Sequence, residues 1–179
     1  MARRVPVRVL PGCRGRIPVG ELRRIARHVL DAEGVSPTVE LELVLADAAT
    51  VRELNRLYRG RDEPTDVLSF EGLDDLSPLP LSASGKGDRG GEVDAIPFIE
   101  PPDKTPSLGE VIVCLPVAEA QSSARGHRVA GEIAHLIVHG LLHLLGCDHE
   151  EEADSAKMQS REDELLSELG YAGTYEHGH

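Results

Sequence analysis

His139-Gly140-Leu141-Leu142-His143-Leu144-Leu145-Gly146-Cys147-Asp148-His149 is the stretch from which the rest of the chain can be read. Its histidines stand at i, i+4 and i+10, with a glycine at i+7. On an α-helix, positions i and i+4 share a face one turn apart, so His139 and His143 can converge on one ion. Gly146 can end the helix in a left-handed conformation that other residues enter only at a cost. The chain then turns back, and His149 supplies a third ligand. Three protein ligands leave a fourth tetrahedral position open to water, as catalytic zinc sites do and structural ones do not. As ordinary core residues, three such histidines would bury polar nitrogens that need partners, and a shared metal supplies one.

The spacing matches the metzincin protease pattern H-E-x-x-H-x-x-G-x-x-H at every metal-binding position and departs from it at the catalytic one. Where those proteases carry a general-base Glu, this chain has Gly140. Glycine moves no proton. The metal geometry is kept and the peptidase base is missing, which argues for hydrolysis of a substrate other than a peptide.

Working outward, 179 residues suit one domain, 1–179, with room for a proper core. There is no Trp, and Phe70 and Phe98 are the only Phe, so the core rests on Leu, Val, Ile and Ala. Cys13, Cys114 and Cys147 are odd in number and widely spaced, which argues against a disulfide framework and fits a reducing cytoplasm. Cys147 lies inside the motif, but the histidine set is complete without it, so it reads as a small buried filler. The basic start lacks the apolar run of a signal peptide. The longest apolar stretch, Ile133 to Leu145, is too short to span a membrane and is interrupted by histidines. The net charge of −12 is awkward for a nucleic-acid enzyme, yet arginines crowd the first third and recur at Arg52, Arg56, Arg59 and Arg61. A local basic face can engage phosphates despite an acidic total; singly, most such residues are solvated helix faces.

The hydrophobic pattern predicts a strand over Val5–Val9, a helix over Val19–Ala32 with Leu22, Ile25, Ala26 and Leu30 inward, and a strand over Thr38–Ala46. Alternation in that strand fades at Val44, so its far end is expected to be buried on both faces. Thr50 and Glu53 have capping-box spacing, predicting a helix from there to Tyr58. Short strands follow at Val67–Phe70 and Val111–Leu115, the second apolar throughout and so central. Pro116 suits the first turn of a helix running to about Arg125. The long histidine helix comes next, then an acidic final helix from Glu150 to Leu169, stopped by Gly170. Residues 72–107, rich in Gly and Pro, read as a loop or insertion.

Several further blocks resemble the YbeY family, the single-strand-specific metallo-endoribonucleases of ribosomal RNA maturation. Leu54-Asn55-Arg56-Leu57-Tyr58-Arg59-Gly60, with Pro64-Thr65-Asp66-Val67-Leu68-Ser69-Phe70, is similar to one of its motifs. Leu108-Gly109-Glu110-Val111-Ile112-Val113-Cys114-Leu115-Pro116 is similar to another, and His135 to His149 to its metal block. Met158 and Leu169-Gly170-Tyr171 fit as well. The resemblance covers most of residues 38 to 171, in the family's order. Two departures stand out: Cys147 replaces the family's usual Tyr, and the segment between Phe70 and Leu108 is longer than usual.

The resemblance implies an α+β fold, with a small mixed sheet of about four strands, helices packed round it, and a metalloprotease-like three-histidine site on a central helix. It implies a cytoplasmic, metal-dependent endoribonuclease that acts on single-stranded ribosomal RNA, matures the 3′ end of the small-subunit 16S RNA and serves ribosome quality control. The small ribosomal subunit and its proteins are the implied partners. His139, His143 and His149 would hold one divalent metal, zinc by their nitrogen donors. Arg59 would fork onto phosphate oxygens and offset transition-state charge. Asp148 would orient an imidazole or shuttle a proton, or else cap the final helix. His135 reads as a core or supporting residue, and Thr65, Asp66 and Ser69 as turn and strand. The rival readings are a metzincin-like protease and a non-catalytic ribosome-assembly factor with a structural metal.

Overall fold

The structure, a computed structural model, describes residues 3–72, 106–147 and 152–172. Most of the expected insertion lies outside these residues, as do Asp148 and His149. Among the described residues the elements run β1 (Val7–Val9), α1 (Val19–Ala32), β2 (Glu40–Ala46), α2 (Ala48–Arg59), β3 (Val67–Glu71), β4 (Ser107–Cys114), α3 (Leu115–Arg125), α4 (Val129–Leu144) and α5 (Glu152–Glu168).

The four strands form one mixed sheet in the order β1-β2-β4-β3. β1 and β4 run parallel to β2, and β3 runs antiparallel to β4. The α+β class and the mixed four-strand sheet are as expected. Register explains the burial of β2. Leu43 and Leu45 pair with Val111 and Val113 on one face, while Val44 pairs with Ile112 on the other. The first face meets α1 and α4 in the main core. The second packs under α2, with Val51, Leu54 and Leu68. Val44 and Ala46 are therefore buried, as the fading alternation predicts.

β1 starts at Val7 and β2 at Glu40, each two residues later than expected, and two other shifted boundaries have a visible cause. α2 starts two residues before Thr50, because Asp47 at the end of β2 caps it: its carboxylate accepts from the Thr50 N–H at 2.8 Å. β4 begins at Ser107, four residues before its apolar run, because ladder pairing carries the polar Ser107-Leu108-Gly109-Glu110 stretch along β2 and β3.

α4 is apolar nearly all round, the pattern of a buried helix. It packs against α1, α3, α5, β3 and β4. Full burial of side chains such as Leu141 and Leu142 contributes roughly 1.5–3 kcal/mol each. Gly140 is where this helix touches the sheet. A Cβ there would lie 2.9 Å from Val111 Cγ1 and 3.1 Å from both Ser69 Oγ and Val67 Cγ2. The Ser69 hydroxyl also donates to the Gly140 carbonyl at 3.0 Å. Position 140 has no room for the glutamate of a peptidase. No helix among the described residues is long and apolar enough to cross a membrane.

Candidate functional site

The helical repeat sets His135, His139 and His143 in a row on α4, at spacings of four. The row passes from core to surface: His135 is 7 % exposed, while His139 and His143 are half-buried. His139 Nε2 and His143 Nε2 stand 3.0 Å apart. Two nitrogens bound to one tetrahedral ion at about 2.0–2.1 Å would be about 3.3 Å apart. The pair is thus close to the separation that a shared ion requires.

The other nitrogen of His139 is already engaged. Glu162 of α5, 4 % exposed, places Oε1 2.5 Å from His139 Nδ1, and Oε2 3.4 Å from His135 Nε2. Burial alone would raise the Glu162 pKa, but the hydrogen bonds from His135 and His139 outweigh it and bring it down to about 2. Glu162 is therefore a carboxylate. It accepts the Nδ1 proton of His139 and leaves the Nε2 lone pair facing His143, the usual support of a metal-ligating histidine.

His135, His139 and Glu162 can also be grouped as a possible metal site, with one donor atom from each within 4.8 Å of the others. The 2.5 Å contact is a hydrogen-bond distance and shorter than two ligands of one ion adopt. The Nε2 pair of His139 and His143 opens on a cleft instead, so the geometry favours that pair as ligands and Glu162 as their support. The chain leaves α4 through Leu145 and Gly146, whose φ of 86° is the left-handed turn the motif calls for. His149 and Asp148 follow outside the described residues. Cys147 is half-buried against the core rather than fully buried, and burial pushes its thiol pKa up.

The cleft beside the histidines has a volume of about 320 Å³. His139, His143 and Leu144 form one wall, the β3 side chains Val67, Ser69 and Glu71 another, and Arg59, Thr65 and Asp66 close it. Thr65, Asp66 and Ser69, read from sequence as turn and strand, do both jobs. Asp66 Oδ1 accepts from the Val67 N–H at 2.8 Å, and Oδ2 accepts from Gln121 Nε2 at 3.3 Å. Buried Asn55 donates to the Glu63 carbonyl at 2.8 Å and pins the turn between α2 and β3.

Arg59, the last residue of α2, reaches this cleft without a carboxylate partner among the described residues. Its neighbours differ: Arg52 forks onto Asp62 at 2.8 and 2.9 Å, and Arg56 holds Glu53. The arginines of the first third are also largely committed. Arg3 binds Asp31 and the Val35 and Ser36 carbonyls, Arg8 pairs with Glu42, and Arg23 and Arg27 donate to backbone carbonyls. The basic first third is mostly structural; Arg14, Arg61 and Arg128 are, like Arg59, without an ion pair among the described residues, but Arg59 is the one that lines the cleft.

Glu162 is the residue the sequence reading passes over, having placed it in an acidic helix whose role it left open. A signal was present. Met158, Glu162, Leu165, Leu166 and Leu169 fall on one buried stripe, and an acid on an apolar stripe needs a partner.

A profile of the family described as Endoribonuclease YbeY matches residues 15–170. A Dehalococcoides mccartyi protein described as Endoribonuclease YbeY is 42% identical over 148 residues, covering 83% of this chain and 85% of that one. A Moorella thermoacetica protein of the same description is 41% identical over 159 residues, covering 86% and 90%. The solution structure of TM1509 from Thermotoga maritima superposes with a TM-score of 0.54 at 20% identity over 97% of each chain, a likeness of fold.

Proposed function

The chain belongs to the endoribonuclease YbeY family, and on that footing we propose that it is a metal-dependent endoribonuclease cutting single-stranded RNA during ribosomal RNA processing. Maturation of the small-subunit 16S RNA 3′ end and ribosome quality control are the processes it would serve. The small ribosomal subunit and its proteins would be its partners, in the cytoplasm. Residues 1–179 act as one unit, with the Gly/Pro-rich insertion at about 72–107 set between two strands.

The observation that carries the reading is the meeting of Arg59 with His139 and His143 in one cleft. His139, His143 and His149 would hold one divalent ion, zinc by the nitrogen donor set. When bound, such an ion lowers the pKa of water toward neutrality and polarises a phosphoryl oxygen. The chain's own residues do the rest. Glu162 keeps the proton of His139 on Nδ1 and fixes the ring. Arg59 grips two phosphate oxygens and offsets charge that grows as phosphorus becomes five-coordinate. Asp148 either orients an imidazole or caps α5. Gly140 leaves no side chain where a peptidase holds its base, and the packing on Val111 shows why none fits.

The test is metal content and cleavage of a single-stranded ribosomal RNA fragment on one preparation, wild type against His143→Ala. About one metal per chain, the count a three-histidine site requires, with cleavage abolished by the substitution and by chelator, is the expected result. Metal bound by well-folded wild type without cleavage would move the function to a non-catalytic assembly factor. Hydrolysis of casein, not RNA, would move it to a protease.

A further inference from the structure

Tyr58 stands beside Arg59 in the last turn of α2 and is 56 % exposed. Helical periodicity says it should be buried. Val51, Leu54 and Asn55 form the inward face of α2, and Tyr58 continues that face at i+7, i+4 and i+3. The helix, however, outruns the sheet. Among the described residues β3 is the edge strand, and Tyr58 meets Phe70 there. Their ring centroids are 5.2 Å apart at 69°, an edge contact. Edge packing fixes the Tyr58 ring and leaves surface open to water. Leu57 beside it is 59 % exposed. These are the two most exposed large hydrophobic side chains among the described residues, and they adjoin a cleft-lining arginine.

An exposed, braced aromatic ring next to an uncommitted guanidinium suits one kind of ligand. A nucleic-acid strand offers a flat apolar base and an anionic phosphate in the same repeat, and single-strand sites pair those two contacts. We propose that Tyr58 is the stacking platform for one unpaired base of the substrate RNA, in the nucleotide whose phosphate Arg59 grips or the one next to it. The proposal rests on the ribonuclease reading of the cleft. Phe70 serves as the brace: its strand neighbours Ser69 and Glu71 line the cleft, while Phe70 points to the opposite side of β3, under Tyr58. The strand of RNA would cross the β3 rim, phosphate in the cleft and base outside it. A base in a duplex is stacked and paired on both strands and cannot swing onto a protein ring without being extruded. The platform therefore selects single strands through the base, while the cleft handles the phosphate.

The test uses the metal-loaded full chain and a fluorescein-labelled single-stranded RNA dodecamer, with a series of dodecamers each carrying one abasic site. Cleavage kinetics and equilibrium anisotropy are both read. Tyr58→Ala is expected to weaken binding and raise KM by roughly five- to 150-fold, the range for losing one stacked base. Tyr58→Phe should restore wild-type behaviour. Tyr58→Leu, which keeps apolar packing on Phe70 but has no ring face, should not. In wild type, one abasic position should cost the same factor, and in Tyr58→Ala that position should cost nothing further. Metal content should be equal throughout. Equal loss by Tyr58→Ala on every abasic dodecamer would overturn the proposal and make Tyr58 a packing residue. So would an unchanged KM, which would leave the patch to a protein partner. If wild type binds RNA without cutting it, the nuclease reading fails while anisotropy still decides the platform; if it does neither, both fail.

Discussion

The two sides of the cleft are built on opposite principles. The α4 wall is rigid. It is surrounded by α1, α3, α5 and the sheet, and its His135 and His139 are held by a carboxylate from another helix. The α2 rim is exposed. Its last turn carries Arg59, without a carboxylate partner among the described residues, and Tyr58, braced by the Phe70 ring. A metal tolerates only small errors in ligand position, so its donors belong on a buried helix with locked side chains. A polymer substrate must enter, slide and leave, so the groups that grip it belong where water and RNA can reach them. The same division decides which substitutions damage chemistry and which damage structure.

The sharpest break of that comparison is Arg59→Ala. If the rim acts on substrate alone, kcat/KM for RNA should fall by about 100- to 1000-fold, the effect of removing one preorganised charge donor. Metal content and melting temperature should stay at wild-type values, because Arg59 supports no other described residue. Normal cleavage by this variant would end the assignment. Loss of metal would instead show that rim and wall are one structural unit.

Glu162→Gln probes the wall with a nearly isosteric change. Metal affinity should fall by about 10- to 100-fold, as when the partner of a ligating histidine is altered. RNA affinity of the metal-loaded protein should hardly move. Isothermal titration with zinc against anisotropy with RNA separates the two. An unaltered zinc affinity would mean that packing alone orients His139, and that the 2.5 Å contact is incidental.

The wall and the rim were not equally legible in the sequence. Local chemistry was readable. The spacing of His139 and His143 put their nitrogens together, Gly146 turned with positive φ, and the broken alternation at Val44 announced two buried faces. Partner choice across the fold was not. Glu162 sits 23 residues from His139, on a helix whose charge pattern looks solvated from outside. Only the buried stripe through Met158 and Leu165 hinted otherwise. Asp47 displaced Thr50 as the cap of α2 because the end of β2 delivers its carboxylate there. Tyr58 reads as a core residue by periodicity, and only the order of the strands shows that, among the described residues, the sheet ends beneath it. For Glu162 and Tyr58 the missing information was which element lies next to which, whereas the Asp47 cap is local and was hidden only by the competing Thr50-Glu53 spacing.

Gly140→Ala gives the smallest effect and asks whether the wall is as tightly fitted as the contacts imply. Alanine improves the helix itself by about 1 kcal/mol. Against this, its methyl would press on Val111, Ser69 and Val67 together, all in β3 or β4, where overpacking costs about 1–3 kcal/mol. The net expectation is a loss of about 1 kcal/mol in urea unfolding. Val111→Ala added to Gly140→Ala should then cost less than the two single changes summed, since the second removes the atom the first strikes. A variant more stable than wild type would mean that α4 can shift from the sheet at no cost. The steric argument against a catalytic side chain at position 140 would then fall, and the absence of a peptidase base would rest on the sequence alone.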